Sequence, residues 1–535
     1  MSAHLLVAPI VIPLLIGALQ LLVGDQRPRL KSALGVASCV ILLAVSIALL
    51  KMAGDPPGGG TLGGVYRIGD WATPFGIVLV ADRLSAVMVA LTAVLGLTTL
   101  QFSLRRWARM GPHFHPLFQF LLMGLNGAFL TGDLFNLFVF FEVLLAASYG
   151  LAMHGSGPRR VGAGLHYIVV NLAASMLFLI GVSVIFGVTG TLNMAALAEQ
   201  IPKAPENTRN LLHAGVAILG VAFLVKAAMW PLGFWLPRTY DAAAPPVAAM
   251  FTIMTKLGVY ILLRLSLLLF GEDAGASAGL GDQWLMVGGA ATLIVGMIGM
   301  LAAKDLGRIA GYSLLVSAGT LLGAVGLRDP DVTSGALFYL VVSTLGAAAF
   351  FLLAGVIAPE GDDEIEDAQV LEAYNPTNAP LFAEEDETIV LIPAPTAVVS
   401  AAFLACTLVV AGLPPFAGFL AKFAMLAPMI APQAQPPIPG GGVVLFALII
   451  LSSLCGLIAM VRAGIQIFWA DPDRRLPTVR LYEIAPVLGL LALCLVLTAA
   501  AEGPIRYMRE VADQAHSARS YVTGVLPGVG EARRP

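Results

Sequence analysis

Apolar stretches long enough to cross a ~30 Å hydrocarbon layer as helices follow one another along almost the whole chain, and nothing else constrains its fold as strongly. They lie near residues 4–23, 32–52, 78–103, 114–131, 133–153, 163–188, 211–236, 244–270, 284–303, 307–327, 333–357, 393–430, 442–469 and 484–502, which predicts fourteen spans. In lipid every backbone donor and acceptor must be satisfied inside the segment, so runs of this length predict an all-α polytopic membrane protein. Hydrophobic residues at 58%, charged residues at 12% and a mean hydropathy of +0.87 exclude a soluble globular domain of 535 residues.

Lysine and arginine resist translocation far more than acidic residues do, so their distribution orients the bundle. The loops after the odd-numbered spans carry 14 of them, and the opposite set carries 5 (Lys51, Arg67, Lys203, Arg209 and Arg328). A one-span error would scramble this contrast. It places both termini outside the cytoplasm and the loop between spans 11 and 12 inside it. That loop holds eleven acids between residues 360 and 388 and no base, a composition that predicts a solvated linker, with partner docking or cation attraction as the functional alternative. The first apolar stretch lacks a basic leader and a small-residue cleavage site, and reads as a retained helix. The four cysteines sit singly in predicted spans at no metal-ligand spacing, so they read as packing residues.

Four of the charges inside these apolar runs are singled out by their depth. Glu142 follows Phe138-Val139-Phe140-Phe141, Lys226 follows Val221-Ala222-Phe223-Leu224-Val225, and Lys256 and Lys422 lie in spans 8 and 12. Each such charge costs roughly 2.5–3.5 kcal/mol on insertion scales, so it is expected to face a protein interior and to carry ions or protons. Glu142 is expected to be the proton-accepting acid of an access half-channel, with a helix-helix hydrogen bond as its competing structural role. Lys226 would be the ammonium that changes its proton affinity. Lys256, beside Thr255, is too deep to snorkel, and a buried lysine that gives up and regains its proton suits a relay; Lys422 would end it.

Two of these spans should also be interrupted. Pro231 follows Lys226 in span 7, and Gly412-Leu413-Pro414-Pro415 precedes Lys422 in span 12. Proline removes a backbone donor and clashes with the preceding turn, and in transporters discontinuous helices at equivalent places in two repeats mark the ion path. Asp133 is expected to cap the start of span 5, with an outer collecting role as the alternative. Interface histidines read as ordinary surface residues, and Arg83, Arg264 and Arg462 as residues near helix ends or in packed polar contacts. No phosphate loop, hydrolytic triad, metal cluster or nucleic-acid motif is present, Gly58-Gly59-Gly60 reads as a turn, and neither cofactor nor resident metal is expected.

Thr131-Gly132-Asp133-Leu134-Phe135-Asn136-Leu137-Phe138-Val139-Phe140-Phe141-Glu142 resembles the span-5 signature of D-type subunits in the Mrp (also called Pha) multisubunit cation/proton antiporters. Ala8-Pro9-Ile10-Val11-Ile12-Pro13, the Gly187–Met194 turn, Val225-Lys226-Ala227-Ala228-Met229-Trp230-Pro231-Leu232 and Ala411-Gly412-Leu413-Pro414-Pro415 extend the resemblance over about residues 5–505. It implies a fold like that of the proton-pumping subunits of respiratory complex I: N-terminal helices in 1–110, inverted five-helix repeats in 111–270 and 284–470 with broken helices 7 and 12, the acidic loop at 358–392, and a last helix and tail in 484–535. It further implies a bacterial inner-membrane transporter subunit rather than an enzyme, partnered by A/B-, C-, E-, F- and G-type subunits. Protons and potassium or sodium would be exchanged at the expense of the proton gradient, with the acidic loop favouring the Pha-type, potassium-associated branch. Glu142 and Lys226 match the family's coupled pair, Lys256 its central relay position and Lys422 its terminal lysine.

Two departures stand out. Many relatives carry His and Lys in span 11, whereas Val342-Ser343-Thr344-Leu345-Gly346-Ala347-Ala348-Ala349 is uncharged. Only a short polar tail is expected after residue 505, which argues against the largest relatives with their lateral helix. The competing functions are a proton-pumping subunit of a complex I or hydrogenase-type oxidoreductase, and a non-conducting scaffold.

Overall fold

The computed structural model describes residues 3–23, 27–56, 62–73, 75–111, 113–357, 394–430, 440–468 and 480–526. The acidic loop 358–392 and the Gly58–Gly60 turn lie outside the described residues.

The chain runs through α1 (Ala8–Leu22), α2 (Pro28–Gly54), a hairpin of β1 (Gly64–Arg67) and β2 (Val78–Ala81), α3 (Arg83–Ser103), α4 (Phe114–Leu130), α5 (Leu134–Ala152), α6 (Pro158–Thr189), α7 (Met194–Gln200), α8 (Glu206–Lys226), α9 (Leu236–Ala242), α10 (Pro245–Leu269), α11 (Asp282–Ala302), α12 (Leu306–Leu327) and α13 (Pro330–Ile357). After the undescribed loop come α14 (Ala394–Ala411), α15 (Ala417–Met429), α16 (Gly440–Phe468), α17 (Leu481–Ala499), α18 (Glu502–His516) and α19 (Ala518–Val525). Of the fourteen predicted spans, twelve hold a helix long and apolar enough to cross a membrane; spans 1 and 4 hold the shorter apolar helices α1 and α4, of 15 and 17 residues.

Apolar residues face outward as well as inward, unlike in a soluble bundle. Leu451, Leu454, Ile458, Val461 and Ile465 form an exposed apolar stripe down α16, at the three-and-four spacing of one helix face. In water such a patch would demand a partner; on a membrane bundle it meets lipid. The centre is α10, buried along nearly its whole length and packed by α3, α8, α12 and α13.

Both interrupted spans break in the same way. Helix α8 ends at Lys226, where Ala228 turns to φ 57° and the amides of Ala228 and Met229 bond back to the carbonyls of Val225 and Leu224. Helix α14 ends at Ala411, where Gly412 turns to φ 73° and the amides of Gly412 and Leu413 bond to Val409 and Leu408. This is the left-handed C-terminal motif that satisfies the last carbonyls of a helix. Pro231 and the Pro414-Pro415 pair fall in the gaps that follow, where no helical hydrogen bond is asked of them. The freed groups find other partners: the Trp230 amide donates to Thr292 Oγ1 at 2.9 Å, and Trp235 Nε1 donates to the Val225 carbonyl at 3.3 Å.

The chain after residue 505 corrects an expectation. Residues 502–525 form α18 and α19 rather than a polar tail, and Met508, Val511, Ala512, Tyr521, Val522 and Val525 are buried. The apolar residues recur every three or four positions, which the many charges between them obscure. These helices close over a buried ion pair. Asp82 caps α3 by accepting the Ser85 amide at 2.9 Å while both its oxygens take Arg264 Nη2 at 2.8 Å, with Tyr260 and Tyr521 flanking the guanidinium. Arg264, read from the sequence as a packed polar residue, thus ties the hairpin's end to α10 and to the C-terminal helices.

Candidate functional site

Lys226 is the last residue of α8, so its ammonium belongs to the carbonyl end of a helix dipole, where a cation is favoured. The side chain is buried, and Nζ stands 4.9 Å from the centroid of the Phe141 ring with no hydrogen-bond partner. It lines a cavity with Tyr167, Asn171, Trp235, Tyr240 and Thr255 that has room for about one water molecule. Glu142 is half-buried one residue beyond Phe141, its Oε1 also without a partner, and its charge is within reach of Lys226 although the two do not close into a hydrogen-bonded pair. An acid and an ammonium held apart beside an aromatic face can change each other's proton affinity without locking together.

Helix α10 supplies the next groups because Gly258 lets it touch the break. A Cβ there would stand 2.6 Å from the Ala227 nitrogen and 2.9 Å from the Lys226 carbonyl carbon. Thr255, on the cavity side, shares a 3.0 Å hydrogen bond with the Tyr240 hydroxyl, which also donates to the Phe251 carbonyl at 2.7 Å. Lys256 is fully buried and turns to another neighbour, donating to Ser317 Oγ on α12 at 2.5 Å. Ser317 in turn donates to Ser343 Oγ on α13 at 2.9 Å.

Lys422 belongs to the second break. From α15 its side chain reaches back across the gap, and Nζ donates to the Ala411 carbonyl at 3.1 Å and to Ser453 Oγ on α16 at 2.7 Å. Gly412 makes room, since a Cβ there would lie 2.7 Å from Lys422 Cδ. Asp133 stands apart from these groups: it is the N-cap of α5, its Oδ1 accepting the Phe135 and Asn136 amides at 2.9 Å. Nine residues of helix, about 13 Å at 1.5 Å per residue, separate it from Glu142. Glu142, Lys226 and Thr255 therefore gather at the first break, Lys256 stands between α10 and α12, Lys422 at the second break, and Asp133 at an end.

The profile of the family described as NADH:quinone oxidoreductase/Mrp antiporter, TM, matches residues 131–384. A probable K(+)/H(+) antiporter chain of the D type from Rhizobium meliloti (strain 1021) is 51% identical over 515 residues, covering 95% of this chain and 95% of its own. The chain belongs to the D-type family of Mrp antiporter subunits. A Na(+)/H(+) antiporter chain, also of the D type, from Alkalihalophilus pseudofirmus is 32% identical over 98% of this chain and 99% of its own. A chain of the Mrp complex from Dietzia sp. is similar in structure, with a TM-score of 0.80 at 27% identity over 98% of this chain and 100% of that one.

Sequence reasoning passes over several polar partners in this Mrp-family chain. Ser317 accepts from Lys256 and donates on to Ser343, Ser453 accepts from Lys422, Tyr240 faces the first break, and Asp82 holds Arg264. Asp241, at the end of α9, accepts Arg159 at 2.6 Å and Arg308 at 3.4 Å, clamping the short half-helix to the starts of α6 and α12. The only signal for the serines is that each lysine, once buried, requires an acceptor nearby.

Proposed function

We propose that the chain is the D-type member of a multisubunit antiporter that exchanges a monovalent cation for protons, driven by the proton gradient. In this reading it is a transporter subunit rather than an enzyme. It sits in the bacterial plasma membrane with both termini on the periplasmic side, and A/B-, C-, E-, F- and G-type subunits are its partners. Potassium is the cation favoured, by the name of the relative that is 51% identical. Protons move along Glu142, Lys226, Lys256 and Lys422, with Thr255 lining the first cavity. The repeats run over 111–270 and 284–470.

The observation that carries this reading is Lys226: a buried ammonium without a hydrogen-bond partner, at a helix break, on a small polar cavity within charge reach of Glu142. Structural charges in a bundle are paired and hydrogen-bonded, whereas this one is held ready to respond when the carboxylate gains or loses a proton. The test is proton exchange in everted vesicles holding the whole complex, comparing the wild type with Glu142→Gln on separate additions of potassium and sodium. Loss of cation-dependent exchange with assembly intact is expected, and the effective ion names the substrate. Unchanged exchange would assign the chain a scaffold role.

A further inference from the structure

Span 11 carries no acidic, basic or imidazole side chain beside Lys256, and its Tyr339 phenol lies against Ser317, yet the lysine is not isolated from the span. Lys256 Nζ donates to Ser317 Oγ at 2.5 Å, Ser317 Oγ donates to Ser343 Oγ at 2.9 Å, and Ser343 Oγ donates to the Leu340 carbonyl at 3.3 Å. The three bonds point the same way, out of the ammonium and into α13. The last is the weak one, because the Leu340 carbonyl is already held by Thr344 Oγ1 at 2.5 Å. The Ser343 hydroxyl can therefore leave it at little cost.

The chain of hydroxyls also leads somewhere. Along α13, Gly335 packs on Met425 in α15, and Gly346 packs on Val409 in α14, so the two contacts bracket the second break. Ser343 lies between them in the sequence of α13, and Lys422 lies three residues before Met425. The serine pair thus joins the most buried lysine to the helix that lies along both halves of the second broken span.

We propose that Ser317 and Ser343 pass the proton from Lys256 to the second break, taking the place of a charged side chain on α13. The inference rests on the Glu/Lys axis proposed above. In the step, the Lys256 ammonium releases a proton to Ser317 Oγ while Ser317 passes its own to Ser343 Oγ. The proton that Ser343 held leaves to a water molecule and from there to the neutral amine of Lys422. Lys256 ends as an amine, both serines end as hydroxyls, Lys422 ends as an ammonium, and no electrons change hands. No charge rests on α13 between turnovers, so the transfer depends on concerted hydroxyl rotation rather than on a stored proton.

The test uses everted vesicles with the assembled complex, carrying Ser317→Ala, Ser343→Ala, Ser343→Thr and, as reference, Lys256→Ala, with exchange measured in H2O and D2O. Both serine-to-alanine variants are expected to lose cation-dependent exchange by about tenfold or more, with complex yield unchanged, because a positioned proton carrier contributes at least that much. Ser343→Thr, which keeps the hydroxyl, is expected to retain it, and the wild type to be slowed in D2O more than the alanine variants. Should Ser343→Ala fail to assemble, Ser343→Cys keeps the volume with a weaker donor and is expected to show the same loss. Wild-type exchange in both alanine variants, with Lys256→Ala inactive, overturns the serine bridge and leaves the axis standing. Wild-type exchange in Lys256→Ala overturns both.

Discussion

Gly412 meets two demands that no other residue type meets together. Its φ of 73° is costly for a residue with a Cβ, by roughly 1–2 kcal/mol, and its missing side chain is what admits the aliphatic stem of Lys422. Gly412→Ala is therefore expected to push the Lys422 ammonium off the Ala411 carbonyl and Ser453. In vesicles it should lower cation-dependent exchange severalfold and, in detergent, lower the melting temperature of the complex by a few degrees. Ala228 occupies the corresponding place in the first break at φ 57°, and there the lysine stands before the turn and needs no such room.

The breaks were legible as breaks, because proline beside an intramembrane charge has few other meanings. Their form was not. The sequence reading places Lys226 inside a span, whereas the helix stops on it, since a left-handed turn two residues later captures its final carbonyls. Nor does Gly258 announce that α10 rests against that turn. Gly258→Val is expected to force the two backbones apart, at about 1–3 kcal/mol for overpacking, with lower complex yield and, in what assembles, slower exchange. The C-terminal helices were missed for a different reason. Their apolar positions are single residues between charges, a pattern that reads as polar until it is taken at helical spacing.

At the scale of the molecule, apolar length alone specified a helical bundle, and the same apolar background exposed the four charges. What the charges touch could not be read, because serines are common within spans and the contacts join distant segments: Asp82 to Arg264, Lys256 to Ser317, Lys422 to Ser453. Stability should also depend on pH through the turn after α5. There His154 Nε2 donates to the Trp107 carbonyl at 2.8 Å, and burial, aided by the Arg160 charge, holds its imidazole below the ordinary histidine value although that bond raises it. As pH falls below about 6.5 the unfolded chain takes up the proton first, so this contribution is full above that pH and is lost on acidification. The melting temperature should fall between pH 7 and 5.5, and His154→Asn should flatten that part of the curve. The matched breaks carry one more implication. Superimposing them by backbone pairs Lys226 with Val410 and Lys422 with Arg238, so each half keeps its lysine on the opposite side of the turn. A search for internal similarity that aligned residue types across the two breaks would pair neither lysine with the other, and only Lys422 would meet a basic residue, Arg238. One that aligned the places where helices end would find a lysine serving each break from its own side of the turn.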